Sequence, residues 1–139
     1  MSDAEPQKRH WSRRLALQAL YQWQLTDHDI DDLLAQFATD DNWHKVDKEY
    51  FIDLVKESIH RSDEHINIIS KYTDASMKSI DPVEKAILLF STHELINHQD
   101  IPASVVISEA VILCEKFGSI DGFKFINGVL DNISKSELQ

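Results

Sequence analysis

Apolar side chains recur at intervals of three and four residues along most of the chain, and this spacing limits the fold more than any other feature. The clearest example is the segment 47–60, in which residue pairs follow one another every four positions: Tyr50/Phe51, Leu54/Val55 and Ser58/Ile59. Such pairs lie on one face of an α-helix over three turns. The sequence lacks the alternation of apolar and polar residues that marks a half-buried β-strand. The spacing therefore predicts an all-α protein.

Seven segments show this helical spacing, and residues at their ends are typical of helix caps. The segments lie at about 12–23, 30–37, 47–60, 62–72, 81–97, 101–117 and 119–133. Ser12 and Ser62 are placed to cap the first and fourth helices. Asp81 followed by Pro82 predicts the start of the fifth helix. We expect Gly118 to end the sixth helix in the left-handed conformation.

The size of the chain favours one domain with one hydrophobic core. It has 139 residues, and its three glycines and three prolines are too few turn residues for a many-stranded barrel. The helices divide into an N-terminal group at about 8–61 and a C-terminal group at about 62–134. Because the link between the groups is short, we expect residues 1–139 to form a single domain with two subdomains.

The charge is strongly negative, but it is unevenly distributed. There are 24 acidic and 14 basic residues, which gives a formal net charge of −10, so the molecule is not a general binder of polyanions. Four basic residues nevertheless lie close together within the first 14 residues: Lys8, Arg9, Arg13 and Arg14. Any contact with nucleic acid should therefore be local and should involve this end of the chain.

Cysteine usage and hydropathy indicate a cytoplasmic protein. The single cysteine, Cys114, forms no internal disulfide, and its place on an apolar stripe predicts a buried thiol. No run of 18 apolar residues predicts a membrane span, and the first 14 residues lack the apolar stretch of a secretion signal. We expect no association with membranes.

No group of residues predicts catalysis, a cofactor or a metal site. His93 and His98 come nearest, but they are five positions apart, whereas two ligands on one helical face need a spacing of three or four. A surface or partner-facing role is the better interpretation of these histidines. The three glycines are too widely spaced for a phosphate-binding loop. The chain is therefore predicted not to be an enzyme.

The first predicted helix carries the residue types that bind RNA. Its cations surround Trp11 and are followed within two turns by polar and aromatic side chains: Lys8, Arg9, Arg13 and Arg14, then Gln18, Tyr21 and Gln22. Cations bind phosphates, whereas aromatic rings and amides contact unpaired bases. Lys124 and Asn127 form a second candidate surface. Two alternatives remain, namely a solvated terminus for the cations and core packing for Trp11 and Tyr21.

A resemblance to a known family runs in order from about residue 9 to 131. Six stretches carry it: R-L-A-L-Q-A-L-Y-Q-W-Q-L (14–25), Y-F-I-D-L-V (50–55), D-P-V-E-K-A-I-L (81–88), H-E-L (93–95), I-P-A-S-V-V-I-S-E-A-V (101–111) and K-F-G-S-I-D-G-F-K-F-I-N-G-V-L-D (116–131). In these stretches the chain resembles the NusB family of bacterial transcription antitermination factors. The first and last stretches together are highly specific.

The resemblance implies a fold and a function. The implied fold is all-α, with about seven helices in two small perpendicular bundles. The implied function is non-catalytic binding of boxA RNA in nascent ribosomal RNA transcripts, together with NusE, a small-subunit ribosomal protein. In the family this pair joins the RNA polymerase elongation complex with other Nus factors and suppresses termination. A protein-binding helical scaffold without an RNA role is the alternative, and a homodimer remains open.

The resemblance also implies roles for particular residues. The basic start of the family maps onto residues 8–14, and its RNA-contacting tyrosine maps onto Tyr21. Glu84 corresponds to the glutamate beside the NusE contact. Asp121 and Lys124 correspond to a functionally sensitive pair, in which Asp121 either accepts hydrogen bonds from base edges or caps the last helix.

Overall fold

A computed structural model describes residues 4–138, and within this range the chain is helical without β-strands. Seven α-helices follow one another: α1 (Ala4–Thr26), α2 (Ile30–Phe37), α3 (Lys48–His60), α4 (Ser62–Ser70), α5 (Pro82–Asn97), α6 (Ala103–Phe117) and α7 (Gly122–Ser136). A short 3-10 helix, Trp43–Lys45, precedes α3. The prediction of an all-α fold is confirmed. Within this range, no helix has both the length and the apolar character needed to cross a membrane.

The α5 helix forms the centre of the molecule. It contacts α1, α3, α4, α6 and α7, and every side chain from 86 to 95 is buried. A helix surrounded on all sides is apolar over most of its circumference, as the run Ala86–Phe90 is. The start of α5 is as predicted, because Asp81 Oδ1 accepts a hydrogen bond from Val83 N at 2.8 Å and Pro82 occupies the first turn.

The predicted cap at Ser12 is wrong, because α1 already extends across this position. Ser12 is fully buried, and its Oγ lies 2.9 Å from Lys8 O and 2.8 Å from Asp47 O. The same oxygen accepts a hydrogen bond from Asp47 N at 3.0 Å. Asp47 in turn caps α3 by accepting from Tyr50 N at 3.1 Å. Ser12 therefore joins the middle of α1 to the start of α3.

The predicted left-handed conformation of Gly118 is also wrong. Gly118 ends α6 with φ −90° and ψ −172°, which is extended backbone. A Cβ at this position would lie 2.8 Å from both Cys114 O and Cys114 Sγ. The glycine is thus required by close packing rather than by its backbone conformation.

One hydrophobic core includes residues from both predicted subdomains. Leu15, Leu20 and Phe51 come from the first part of the chain, and Phe90 and Leu130 come from the second. Cys114 belongs to this core and is fully buried, as predicted. Burial raises the pKa of its thiol to about 11, with the carboxylate of Glu84 adding to the effect. This thiol is therefore a packing group and not a nucleophile.

Candidate nucleic-acid interface

Arg13, which the sequence assigned to RNA contact, lies inside the molecule. Its side chain is 3% exposed and forms a forked ion pair with Glu94 of α5, with Nε 2.9 Å from Oε1 and Nη2 2.8 Å from Oε2. Its Nη1 donates to Glu109 Oε1 of α6 at 3.1 Å. These contacts use both edges of the guanidinium group, so the assignment of Arg13 to RNA binding is corrected. Its role is to join α1, α5 and α6.

Tyr50 completes this buried cluster, because its hydroxyl group donates a hydrogen bond to Glu94. Burial and the adjacent carboxylate raise the pKa of Tyr50 above its ordinary range. Burial alone would lower the pKa of Arg13, but Glu94 outweighs it and raises the pKa above its usual value. The arginine therefore stays charged and the tyrosine stays neutral. We refer to Arg13, Tyr50, Glu94 and Glu109 as the buried ion cluster.

The other three cations of α1 remain accessible. Lys8 is exposed, whereas Arg9 and Arg14 are half-buried. The Arg9 guanidinium lies 4.9 Å from the centre of the Tyr50 ring, and that of Arg14 lies 4.8 Å from the centre of a Trp11 ring. Over residues 4–138, none of these three cations forms an ion pair. We refer to Lys8, Arg9 and Arg14 as the basic surface.

A groove of about 510 Å³ lies beside Arg14 and is lined by residues of α1, α2, α5 and α6. Gln18 and Tyr21 line it from α1, and Phe117 lines it from the end of α6. Tyr21 is 39% exposed, so core packing does not account for its whole ring. Phe117 also contacts Arg14, whose guanidinium lies 5.1 Å from the centre of the phenylalanine ring. Arg14 of the basic surface therefore lies at the edge of the groove.

The second predicted surface lies on the first two turns of α7. Asp121, Lys124 and Asn127 are all exposed and, at a spacing of three, share one side of the helix. Asp121 occupies the N-cap position, but its side chain forms no capping hydrogen bond. It lies 3.6 Å from Lys124 Nζ instead. Both side chains are thus directed toward solvent.

Glu84, which was expected to contact a protein partner, is only 6% exposed. Its Oε2 accepts a hydrogen bond from Ser119 Oγ at 3.0 Å and lies 3.4 Å from Ser119 N. A Cβ on Gly122 would lie 2.5 Å from Glu84 Oε1. The carboxylate therefore fixes the turn between α6 and α7, and its assignment as a partner-facing group is corrected.

Arg13 and Glu84 both left a signal in the sequence. Arg13 precedes Ala16 and Leu20 by three and seven positions, and Glu84 precedes Leu88 by four, so each lies on an apolar helical face. A charged residue on such a face is buried with a partner or is exposed at the edge of the face. Spacing alone does not separate these two outcomes.

The structure also brings together three residues that the sequence did not connect. Asp53 Oδ2 lies 2.9 Å from His93 Nε2 and 2.6 Å from His98 Nε2. Partial burial by itself raises the pKa of Asp53, but the hydrogen bonds from the two histidines outweigh it and lower the pKa below its usual value. His98 follows α5 with φ −123° and ψ 54°. Because the helix ends there, the spacing rule for two histidines on one helix does not apply.

Comparison with known proteins identifies the family of the chain. The sequence model of the NusB family matches residues 10–135. The chain belongs to the NusB family. Transcription antitermination protein NusB from Pseudoalteromonas atlantica is 39% identical over 95% of this chain and 94% of its own length. The protein of the same name from Alcanivorax borkumensis is 41% identical over 94% of this chain and 87% of its own.

Two solved NusB structures have the same fold. NusB of T. maritima is 28% identical and superimposes with a TM-score of 0.83 over 92% of this chain and 91% of its own. The matching chain in a crystal structure of the antitermination factors NusB and NusE in complex with dsRNA is 26% identical. It superimposes with a TM-score of 0.81 over 93% of this chain and 97% of its own. The predictions of the NusB family, of its all-α fold and of a non-catalytic antitermination factor are thus confirmed.

Proposed function

We propose that this NusB family member binds boxA RNA of nascent ribosomal RNA transcripts together with NusE. In this role it joins the RNA polymerase elongation complex with other Nus factors and helps the polymerase pass terminators. The observation that carries the proposal is the position of Arg14, whose guanidinium lies 5.1 Å from the ring centre of Phe117, a residue that lines the groove.

The basic surface supplies the attraction for the RNA backbone. Lys8, Arg9 and Arg14 have no acidic partner within residues 4–138, so binding a phosphate breaks no ion pair in that range. The whole chain has a net charge of −10, so the rest of the molecule is acidic and repels RNA that does not reach these cations. The attraction is therefore confined to one place.

The groove supplies contacts to bases. The half-exposed ring of Tyr21 offers a stacking surface, and the exposed amide of Gln18 offers a donor and an acceptor. Asp121, Lys124 and Asn127 provide a second set of polar groups at the start of α7. Because Asp121 does not cap its helix and is 75% exposed, its carboxylate is accessible to base amino groups.

The protein partner in this proposal is NusE. A solved relative of this chain was crystallised with NusE and dsRNA, which supports the assignment. The acidic charge of the chain suits a cationic ribosomal protein. Glu84 is 6% exposed and accepts a hydrogen bond from Ser119, so we expect the contact to use other groups than its carboxylate. Two modest contacts, one with RNA and one with protein, reinforce each other in a ternary complex.

The proposal is tested by measuring affinity for boxA RNA and for scrambled RNA over a series of salt concentrations, with and without NusE. We expect tighter binding of boxA RNA. Substitution of Lys8, Arg9 and Arg14 by Gln should weaken binding and reduce the slope of log K against log salt by about 2, which is about 0.7 per phosphate contact on a single strand. Equal affinity for the two RNAs under both conditions would favour the helical scaffold without an RNA role.

A matched triple variant controls for the loss of charge. Lys56, Lys78 and Lys135 are exposed and lie outside the basic surface and the groove. Their joint substitution by Gln changes the net charge by the same amount. It should leave the salt slope close to that of the parent, and an equal loss in both triple variants would contradict a localised site.

A further inference from the structure

Three metal-ligand side chains converge where α3 meets the end of α5. One ligand atom from each of Asp53, His93 and His98 lies within 4.8 Å of the other two. Asp53 belongs to α3, His93 lies in the last part of α5, and His98 is the first residue after it. Two independent backbone segments thus present the three groups, which form no part of the candidate RNA interface.

The chemistry of these three groups fits zinc. Imidazole nitrogen and carboxylate oxygen are ordinary Zn²⁺ ligands at about 2.0–2.2 Å, and three protein ligands leave one tetrahedral position for water. Ligand atoms around such an ion lie about 3.3 Å apart. The present separations of 2.9 Å and 2.6 Å from Asp53 Oδ2 must therefore lengthen by about 0.4 Å and about 0.7 Å, given the same zinc geometry.

The exposure of the three side chains allows that shift and gives an ion access. The His93 side chain is 3% exposed and is held by packing, whereas those of His98 and Asp53 are 25% and 36% exposed. The buried histidine serves as the fixed ligand, and the two outer groups adjust. The open side of the cluster leaves room for the water ligand.

A third imidazole, that of His65, lies next to the three ligand side chains. His65 of α4 is 1% exposed, and its ring centre lies 5.8 Å from that of His93. Its Nδ1 is buried and forms no hydrogen bond within residues 4–138. Buried polar atoms are nearly always paired, so His65 has an unused ligand atom in a ring that packs against His93.

Asn97 can support the metal-bound form of His93. Its Nδ2 now lies 3.2 Å from His93 Nδ1, and its Oδ1 accepts from Arg61 Nη1 at 3.1 Å. Metal at Nε2 places the ring proton on Nδ1, and a turn of the amide then offers Oδ1 as its acceptor. This rotation of the Asn97 amide breaks the exposed hydrogen bond to Arg61. Arg61 keeps its ion pair with Glu57 at 3.1 Å.

We propose that Asp53, His93 and His98 bind one zinc ion, with water as its fourth ligand, and that the ion joins α3 to the end of α5. Binding would stabilise the folded protein because the unfolded chain does not hold the three groups together. The site would couple the N-terminal and C-terminal parts of the molecule, and it uses none of the residues of the candidate RNA interface.

The test uses the full chain without an affinity tag, freed of metal by a chelator and titrated with Zn²⁺ against a chromophoric competitor. We expect one ion per chain. The melting temperature should rise by on the order of 10 °C when free zinc exceeds its Kd about 100-fold. Absence of stoichiometric binding would overturn the proposal.

Variants at position 98 identify the ligands. Loss of a group that only hydrogen-bonds to a metal ligand weakens metal binding by about 10- to 100-fold. His98→Gln removes a ligand itself and should therefore weaken zinc binding by more than about 100-fold. His44→Gln removes an exposed histidine elsewhere and should leave the affinity within about twofold of the parent. Equal losses in the two variants, or tight binding by His98→Gln, would show that zinc binds at other histidines.

A spectroscopic variant keeps the test decisive if His98→Gln folds poorly. Co²⁺ in the parent should show the visible absorption of a tetrahedral nitrogen and oxygen site. His98→Cys replaces one ligand by a thiolate and should add the near-ultraviolet band of sulfur bound to cobalt. A His98→Cys spectrum without that band would refute ligation at this position.

Discussion

The two faces of α1 use arginine in opposite ways. Arg13 faces inward, where Glu94 and Glu109 pair with it. Arg14, the next residue, is half-buried over Trp11 and Phe117 and has no acidic partner in the part of the chain that the structure describes. The first arginine connects three helices, and the second is available to an anion. The number of cations in a segment therefore overstates the surface that it offers to RNA.

The largest expected effect comes from Arg13→Met, which removes the cation of the buried ion cluster on the inner face of α1. This variant leaves the carboxylate of Glu94, which is fully buried, without its cation. Removing one partner of a buried pair costs about 3–5 kcal/mol of the free energy of unfolding. The melting temperature should therefore fall by roughly 10 °C or more in a chain of this size, as measured by circular dichroism.

Arg14→Met is the matched control for Arg13→Met. It removes the same charge from the next position and loses only cation–π contacts, which contribute about 0.5–1 kcal/mol each at exposed sites. We expect a much smaller change in melting temperature but a clear loss of RNA affinity. Equal destabilisation by the two variants would contradict the division of α1 into two faces.

A smaller effect is expected from Tyr50→Phe, which removes one hydrogen bond to Glu94 and keeps the ion pair with Arg13. A hydrogen bond to a charged group contributes about 1.5–3 kcal/mol, so urea unfolding should shift to lower concentration. Tyr72→Phe removes the equivalent bond to Glu137 near the surface. If Tyr72→Phe lowered the stability as much as Tyr50→Phe, burial of the ion cluster would not explain the loss of stability in Tyr50→Phe.

The smallest effect on stability is expected from Asp121→Asn on the outer surface. The side chain makes no capping bond and is 75% exposed, so the melting temperature should be almost unchanged. Affinity for boxA RNA should change, because an amide offers a donor where the carboxylate is only an acceptor. A lower melting temperature with intact RNA binding would instead assign Asp121 to the helix start.

Much of the local structure was predictable from the sequence. The start of α5 at Asp81 and Pro82 follows from the hydrogen-bonding capacity of an aspartate and the fixed backbone angle of a proline, and both effects act within one turn. The end of α6 shows the limit of this reasoning. Gly118 was expected to adopt a left-handed conformation, but contact with Cys114 is what requires a glycine there.

The candidate site was predictable only in part. The sequence located the basic surface and Tyr21 because residue type and helical spacing suffice to place them on α1. It did not predict that Arg13 is buried whereas Arg14 is accessible, because the partners of Arg13 lie 81 and 96 residues further along the chain. It did not connect Asp53 with His93 and His98 for the same reason, since 40 and 45 residues separate them.

The sequence by itself determined where most of the helices begin and end, which side of each is apolar, and the family to which the chain belongs. Tertiary structure decided which charged groups are enclosed and which meet solvent. The physical reason is the range of the interactions. Capping and helical periodicity act between residues a few positions apart, whereas the burial of Arg13 and of Glu84 depends on helices brought together from distant parts of the chain.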